Sequence, residues 1–564
     1  MKKKKIVVIG GSAAGPKSAA RARRLDQNAE IIIIQKENDF SMASCGFPYY
    51  VGGVFDNRNQ LICSPTGVVR DSNFFLNAKG IIAFNNIEAV EIDRKQHIIK
   101  CIDIKTNEEK NFDYDKLILC TGSKAKIPPI EGIKLEGITT LKSMKDADYL
   151  RKIRDEKNIK KAIVVGGGLI GIETCEALQL AGVQITVIEM LPQILPFLDK
   201  NLSKLIENHI KSKGANVITN NGVKEFLGKD GKLKGVKLTN GTELECELAV
   251  IAIGVSPETE LAKKSGLKIG KLNGIVVDEF MQTSDADIYS AGDCIETINL
   301  ITKKTDYAPL GDLANLQGRV AGENSVKGNN VKFNGTIKTS ICKVFDFIAG
   351  STGISEDEAK NCGFEPVSVI TAGPDRPGFM GSRILINKMI VCKKTGRLLG
   401  FQCVGSGDVS KQIAQAAIAI SGNMTIDILK NSDLPYAPPF TLAVDNFIAT
   451  AHVLENKING LMKGITVEEV KKKIDNKEDI FLLDVRGPDE FEQMRLGIGE
   501  TLIPLGALRN RLNELPQDKN KEIICYCKIS LRGYEAQLIL EANNWKNVKV
   551  MEGGIMAWPY NREK

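Results

Sequence analysis

Apolar residues fall in short unbroken runs along this chain, each followed by glycines and then by helix-like spacing. The run Ile6-Val7-Val8-Ile9 leads into Gly10-Gly11, and an Ala- and Arg-rich stretch then precedes a second run, Ile31 to Ile34. This pattern predicts strand, glycine turn, helix and strand over Lys5 to Gln35. Ala162 to Glu189 repeats it, with a strand through Ile163-Val165, glycines, a helix through Ala177 and a strand from Val183. Each copy reads as a ~30-residue βαβ unit. Gly-Asn-Asn and Asn-Gly cluster near Asn330 to Asn334 and mark a boundary. Beyond it, residues 335–450 mix strand-like runs with a helical stretch from Val409 to Ile420. A last unit begins near Gly464, where Ile465-Thr466 followed by Glu468 and Glu469 predicts a capped helix start. Strands through Phe481-Leu482-Leu483 and Ile523-Ile524 and a helix over Leu531 to Glu541 complete a small α/β domain, tethered by Leu454 to Lys463.

Composition narrows the classes. The chain has 564 residues, 43% hydrophobic and 26% charged, as an ordinary multidomain globular protein does. Its net charge of +7 is diffuse apart from Lys2 to Lys5. No basic stripe is interleaved with aromatics, which argues against nucleic acid. No apolar run approaches the ~18 residues of a membrane span. The apolar run at the N-terminus is too short for a secretory segment. The 13 cysteines are therefore expected as free thiols in a reducing cytoplasm. Their odd number and scattered spacing indicate neither a disulfide framework nor a metal site.

Gly166-Gly167-Gly168-Leu169-Ile170-Gly171 satisfies the G-x-G-x-x-G fingerprint between a strand and a helix. Gly166 permits the tight turn, Gly168 lets a diphosphate approach the backbone, and Gly171 lets helix and strand pack closely. Leu169 and Ile170 open the helix whose N–H groups would receive the phosphates. Glu189 ends the next strand, where it can accept from a ribose 2′-hydroxyl and would repel a 2′-phosphate, which favours NADH over NADPH. The first copy, Gly10-Gly11-Ser12-Ala13-Ala14-Gly15, has Ser12 at the second glycine position and Gln35 at the acidic one. Gln35 still offers a carbonyl oxygen to a ribose, without charge assistance.

Three further segments follow: Leu117-Ile118-Leu119-Cys120-Thr121-Gly122, Val250-Ile251-Ala252-Ile253-Gly254, and Ile288-Tyr289-Ser290-Ala291-Gly292-Asp293. With the two fingerprints, they resemble the two-dinucleotide flavoprotein disulfide reductase family over about residues 4 to 450. The resemblance implies two Rossmann-like folds, FAD over 1–150 and 248–332 and NAD(P) over 151–247. It further implies an α+β dimerisation domain over 333–450, and 451–463 is left as linker. In that family the Gly-Asp aspartate binds the FAD ribityl chain, a role that falls here to Asp293. Thr121, Gly122 and Gly254 are expected at the cofactors, with Ser44 beside the redox cysteine.

Most reductases of this class use a C-x-x-x-x-C pair, whereas here Cys45 is followed by Gly46-Phe47-Pro48-Tyr49-Tyr50. The segment Ser41 to Tyr50 resembles the single-cysteine branch of coenzyme A disulfide reductases, NADH-dependent persulfide and polysulfide reductases, and NADH oxidases and peroxidases. A single thiolate suits a cycle in which the substrate supplies the second sulfur, leaving a mixed disulfide that reduced flavin resolves. Flavin and a nearby helix dipole are expected to keep Cys45 ionised. Peroxidases and many oxidases of the branch carry a histidine in the first glycine turn, where Ala13 and Ala14 stand here. The only histidines are His97, His209 and His452. Asp433-Leu434-Pro435-Tyr436-Ala437-Pro438-Pro439-Phe440 is similar to the segment whose tyrosine reaches the partner subunit's cysteine, which makes Tyr436 a candidate acid and a homodimer the expected assembly. Asp375-Arg376-Pro377-Gly378 departs from the Tyr-Tyr-Pro-Gly of coenzyme A reductases, and Ser44 replaces their asparagine. Arg376 either meets an anionic substrate or pairs with Asp375.

Residues 464–564 resemble a rhodanese domain through Leu483-Asp484-Val485-Arg486, Glu490-Phe491-Glu492, Tyr526-Cys527-Lys528-Ile529-Ser530-Leu531-Arg532-Gly533 and Met551-Glu552-Gly553-Gly554. The usual Gly-His-Ile segment is replaced around Met494-Arg495-Leu496-Gly497. The loop from Cys527 to Arg532 would turn backbone N–H groups toward a thiolate or persulfide, with Arg532 holding the loop or an anionic donor. Cys525 is expected to be buried on the strand. Together the halves imply an FAD- and NADH-dependent reductase of persulfide, polysulfide or coenzyme A disulfide. Cys527 would carry sulfane sulfur, and coenzyme A is a candidate substrate or bound ligand. The alternatives are an NADH oxidase, a reductase of another thiol-reactive substrate, and a non-catalytic sulfur carrier.

Overall fold

In the computed structural model, which describes residues 3–563, the chain divides into two compact units. Lys2 and Lys564 lie outside the described residues. The first unit holds the chain up to Met190 and Asn220–Thr336; the second holds Leu191–Thr219 and everything from Ile337.

In the first unit, β1 (Lys5–Ile9), α1 (Ala14–Leu25) and β2 (Glu30–Ile34) form the first expected βαβ element. Cys45 precedes the short helix α2 (Phe47–Val51). β1 and β2 join β3 (Ile82–Phe84), β4 (Lys116–Leu119) and, later in the chain, Ile288–Ser290 in one parallel sheet. Ile6, Val7, Val8, Ile31, Ile33 and Ile34 are fully or almost fully buried. Solid apolar runs of this kind belong to a parallel sheet covered on both faces.

The second copy is β5 (Lys161–Val165), α3 (Leu169–Leu180) and β6 (Gln184–Ile188). Here the expected break at 247/248 falls just before β7 (Leu248–Ile251), and β7 pairs with β5. A four-residue apolar run does not reveal in sequence which of two neighbouring sheets it will enter. Ile288–Ser290, now β8, completes the first sheet in the order β8-β4-β1-β2-β3. The long helix α4 (Gly311–Lys327) then packs on α1 at backbone distance. A Cβ on Gly318 would lie 2.5 Å from the Ala14 carbonyl oxygen, and one on Gly322 would lie 2.3 Å from that of Ser18. Only small residues on both helices allow this approach.

Among the described residues, two five-stranded sheets lie wholly in the second unit. β9 (Ser340–Val344), β10 (Phe347–Gly353), β11 (Pro366–Pro374), β12 (Ile384–Cys392) and β13 (Leu398–Gly405) make an antiparallel sheet in the order β9-β10-β13-β12-β11. Against it pack α5 (Val409–Ser421) and α6 (Asn446–Ile458). The first part of the segment read as a tether is thus helical, because Asp445 caps α6 and its apolar face is buried. The helix Lys200–Ser212 also belongs to this unit.

The final sheet is parallel, formed by β14 (Gly464–Ile465), β15 (Ile480–Asp484), β16 (Thr501–Leu502), β17 (Glu522–Tyr526) and β18 (Val548–Met551) in the order β14-β18-β17-β15-β16. Its helix α7 (Val467–Asp475) starts with the expected reciprocal cap between Thr466 and Glu469, and α8 (Leu531–Ala542) follows the Cys527 loop. Cys525 is buried on β17. Among the described residues no helix is long and apolar enough to cross a membrane.

Candidate active site

The two fingerprint loops have the same construction. Gly10 and Gly166 stand at φ +109° and +111°, and a Cβ there would lie 2.0 Å from the Cys120 carbonyl oxygen and 2.4 Å from that of Ala252. A Cβ on Gly15 or Gly171 would lie 1.8 or 2.0 Å from the carbonyl oxygen of Gly10 or Gly166. Glycine is therefore required at both pairs. The residue ending the second strand braces each loop: the Gly11 N–H donates to Gln35 Oε1 at 2.9 Å, and the Gly167 N–H donates to Glu189 Oε2 at 2.7 Å. Gln35 Nε2 donates to the Asp39 carbonyl oxygen, so its carbonyl, expected to serve a ribose, first serves the loop.

Helices α1 and α3 begin at Ala13 and Gly168 without a side-chain cap and without an acidic residue in the first turn. Their leading N–H groups fit phosphate oxygens. Ser12 is exposed, Ala13 half-buried and Ala14 buried at the first mouth; Gly168, Leu169 and Ile170 are half-buried at the second. A Cβ on Gly168 would meet nothing within 4 Å, leaving room for a diphosphate against the backbone. Gly122 and Gly254 also face open space, and each precedes one strand of the antiparallel pair Ser123–Ala125 and Val255–Pro257. Thr121 Oγ1 donates to the Glu258 carbonyl oxygen at 2.6 Å and so ties these two crossings together.

Asp293 follows β8 in a polar cluster that sequence reasoning missed. Ser123 Oγ donates to Asp293 Oδ2 at 2.8 Å, and Lys142 Nζ donates to Ser123 Oγ at 2.9 Å. Tyr307 Oη donates to the Asp293 carbonyl oxygen at 3.0 Å. Ser123 directly follows the Thr121-Gly122 signal and was within reach of a sequence reading; Lys142 carries no local signal. An aspartate with this support can hold hydroxyls of a bound flavin side chain.

Cys45 sits in the turn Ser44–Gly46, with Ser44 exposed beside it, and leads into α2, whose Phe47, Tyr50 and Val51 are buried anchors. A Cβ on Gly311 would lie 3.7 Å from Cys45 Sγ, so the sulfur stands at the first residue of α4. The positive end of a helix favours a thiolate. Burial and two of the chain's carboxylates oppose it. Although Cys45 is exposed as a residue, atoms packed around the sulfur desolvate it and push the thiol up, and the charges of Glu173 and Asp293 add to this against Lys142. Burial and the chain's charges together raise the Cys45 thiol, so its ionisation would rest on the two contributions expected for it, the flavin and the α4 N-terminus.

Glu173, in the second turn of α3, was also missed by sequence reasoning. Burial raises its carboxyl to about 7, a hydrogen bond from Tyr49 Oη at 3.3 Å opposes this, and Glu176 adds to it. Above that value the charged Glu173 raises the Cys45 thiol; below it the carboxyl is neutral and does not. Glu173→Gln should therefore leave Cys45 alkylation unchanged near about pH 6 and accelerate it about threefold near about pH 8.5. Iodoacetamide labelling followed by mass spectrometry measures this, and equal rates at the higher pH would refute the coupling.

In the second unit, Tyr436 is 54% exposed. Arg376 makes the pair with Asp375 that the second of its two readings expects, on a buried rather than a surface carboxylate. Its Nη2 donates to Asp375 Oδ2 at 2.8 Å, its Nη1 donates to the Pro439 carbonyl oxygen at 3.0 Å, and Asp375 is buried. Arg376 thus props the loop that carries Tyr436.

In the last domain Cys527 is fully buried at the end of β17. The loop turns through Ser530 at φ +88° and enters α8, where Arg532 makes a bidentate pair with Glu490, Nη1 to Oε2 at 2.7 Å and Nη2 to Oε1 at 2.8 Å. This pair holds the Glu490 carboxyl down to about 2, and Arg532 also interacts with Cys527. The buried pair Arg486–Asp484 reaches the Glu490 and Met494 carbonyls and so positions the segment that departs from Gly-His-Ile.

Comparison with known proteins finds three matching segments. Residues 4–308 match the pyridine nucleotide-disulphide oxidoreductases, 339–447 the dimerisation domain of the same family, and 466–560 the rhodanese-like domains. A NAD-dependent persulfide reductase from A. fulgidus is 42% identical, with 98% of this chain and 100% of that one covered at a TM-score of 0.93. Reduced CoADR-RHD of Bacillus anthracis is 33% identical, covering 99% and 98% at a TM-score of 0.91. The NADH oxidase of Methanocaldococcus jannaschii is 34% identical over 446 residues, which is 78% of this chain and 96% of the relative. The chain therefore belongs to the pyridine nucleotide-disulphide oxidoreductases, with a C-terminal rhodanese-like domain.

Proposed function

We propose that this protein is an NADH-dependent, FAD-linked reductase of persulfide, polysulfide or coenzyme A disulfide, acting through Cys45, with Cys527 as a carrier of sulfane sulfur. Membership of the family implies FAD and NAD(P)H, and both helix N-termini fit their diphosphates. One observation carries the reading: among the described cysteines Cys45 alone is exposed, at the head of α4 in the dinucleotide-binding unit. A solitary accessible thiol there needs its sulfur partner from the substrate. The likeness to the A. fulgidus persulfide reductase over nearly the whole chain supports the same reading.

Cys45 thiolate attacks the inner, R-bonded sulfur of R–S–SH, breaks the S–S bond and releases hydrosulfide, leaving Cys45–S–S–R. FAD, when bound, relays the electron pair from NADH that returns this mixed disulfide to thiolate and R–SH. The sum is RSSH + NADH + H⁺ → RSH + H₂S + NAD⁺. Glu173 and Asp293 oppose a standing charge on Cys45, while the α4 N-terminus and Lys142 favour it. Tyr436, from a second copy assembled through the dimerisation domain, donates the proton to the leaving thiolate. In the rhodanese-like domain Cys527 thiolate takes the outer sulfur of a donor, forming Cys527–S–S⁻ and releasing the donor's thiolate, with the loop N–H groups and Arg532 around the new charge.

The test is NADH consumption by FAD-loaded protein under strict anaerobiosis with polysulfide, a small persulfide or coenzyme A disulfide. Turnover with sulfide or thiol release is expected; consumption only when oxygen is admitted would replace this reading with an NADH oxidase. Coenzyme choice follows from Glu189. Glu189→Gln keeps an acceptor for the Gly167 N–H, as Gln35 does in the first copy, but removes the charge facing a 2′-phosphate. The NADPH-to-NADH ratio of kcat/KM should rise about tenfold. An unchanged ratio would assign Glu189 to bracing the loop alone.

A further inference from the structure

The rhodanese-like domain places one carboxylate against the antiparallel sheet of its own unit. Glu552, just after β18, is 1% exposed. Its Oε2 accepts the Ile370 N–H of the edge strand β11 at 3.1 Å, and its Oε1 lies 2.5 Å from Lys457 Nζ on α6. Lys457 Nζ also donates to the Ser368 carbonyl oxygen at 2.8 Å. The outer edge of β11 is thereby closed by one acid from the rhodanese-like domain and one base from α6, where an open edge would otherwise be left. The fit leaves no slack: a Cβ on Gly464 would lie 2.1 Å from Glu552 Oε1, and one on Gly553 would lie 3.0 Å from Ile370 Cγ2.

The residues flanking Glu552 grip the sulfur loop. Ser530 Oγ donates to the Met551 carbonyl oxygen at 3.3 Å, the Ile555 N–H donates to the Cys527 carbonyl oxygen at 2.9 Å, and the Met556 N–H donates to that of Lys528 at 3.2 Å. A Cβ on Gly554 would lie 2.4 Å from the Cys527 carbonyl oxygen. Residues 551–556 thus touch the β11 edge at one point and both ends of the Cys527 loop at others.

We infer that Glu552 and Lys457 are positioning residues for sulfur transfer, fixing the Cys527 loop through an ion pair on the edge of the antiparallel sheet. This rests on the reading that Cys527 carries sulfane sulfur. Burial pushes the Glu552 carboxyl up, and Lys457, the Ile370 N–H and Lys388 oppose this. Lys388 of β12 is itself shared among Asp199, Glu356 and Glu468, so Lys457 is the cation that Glu552 holds directly. Removing Lys457 leaves a buried carboxylate that docks only when protonated. Glu552 then needs a proton to stay in place, and transfer should fail as pH rises.

The experiment uses the full FAD-loaded chain with thiosulfate as sulfur donor and cyanide as acceptor, reading thiocyanate, beside NADH-dependent reduction of coenzyme A disulfide as the Cys45 readout. Lys457→Met should lower kcat for thiocyanate about tenfold at about pH 8, with little change in KM for thiosulfate, and recover toward about pH 5.5. Adding Glu552→Gln should remove that pH dependence and restore most of the rate, a rescue that general destabilisation would not give. Coenzyme A disulfide turnover should be unchanged in both. Glu552→Gln alone, which keeps one acceptor oxygen but turns the other position into a donor and loses the charge that faces Lys457, serves if Lys457→Met does not fold, and should lose about threefold. A wild-type pH profile and rate in Lys457→Met, or in Glu552→Gln where that variant stands in, would overturn the inference while leaving the role of Cys527 intact. Absence of thiocyanate formation by the wild type, unchanged in Cys527→Ser, would remove the underlying reading and this inference with it.

Discussion

Cys45→Ser is expected to lower NADH-dependent turnover of persulfide and of coenzyme A disulfide by at least about a thousandfold, with FAD content unchanged. A serine hydroxyl is not ionised at any working pH, and it cannot form the mixed disulfide on which every later electron transfer depends. A thousandfold loss corresponds to about 4 kcal/mol of transition-state stabilisation, the scale on which deletion of a nucleophile acts. The substitution changes one atom at the head of α4 and leaves the Asp293, Ser123 and Lys142 cluster untouched, so flavin binding should survive. Stopped-flow absorbance follows the comparison: NADH should still bleach the flavin of the variant, and added persulfide should no longer restore it. Restoration at the wild-type rate would move the redox centre away from Cys45. Slow restoration by oxygen alone in both proteins would leave the assignment standing.

What could be read in advance follows the range of the forces involved. Gly10, Gly15, Gly166 and Gly171 were legible because each is required by a carbonyl of its own βαβ unit or the next strand, and that need is stamped locally as glycine. The apolar runs of β1, β2, β5 and β6 were legible because sheets covered on both faces admit no polar alternation. Other features depend on where distant segments meet. Glu173 gains its raised carboxyl from burial, which outweighs the hydrogen bond from Tyr49, and Lys142 reaches Ser123 and Asp293 from another part of the sequence. The choice of β7 between two sheets is set by pairing with β5, which its four residues do not encode alone. Arg376 was undecided between substrate and Asp375 because its second partner, the Pro439 carbonyl, lies far along the chain. Glu552 sat inside a recognised motif, yet its contacts with Lys457 and Ile370 belong to the pairing of two domains.

The second large effect is expected at Cys527. Cys527→Ala should abolish sulfur transfer from thiosulfate to cyanide, a loss of at least about a thousandfold, because the atom that bears the sulfane sulfur is gone. NADH-dependent reduction of coenzyme A disulfide, which needs only Cys45, should stay within about twofold, and reduction of sulfane-sulfur substrates should fall by about tenfold. The fold should tolerate the change: Cys527 is fully buried among Val485, Ile503, Cys525 and Ala536, and alanine removes a single sulfur atom from that core. The bidentate Arg532–Glu490 pair does not pass through the thiol, so the entry to α8 should persist. Parallel NADH and thiocyanate assays separate the outcomes. Full sulfane-sulfur reduction by the alanine variant would make the rhodanese-like domain dispensable to the reductase. Equal loss on both substrates would mean that Cys527 acts on the Cys45 reaction itself, and a carrier of sulfane sulfur has no chemical reason to do that.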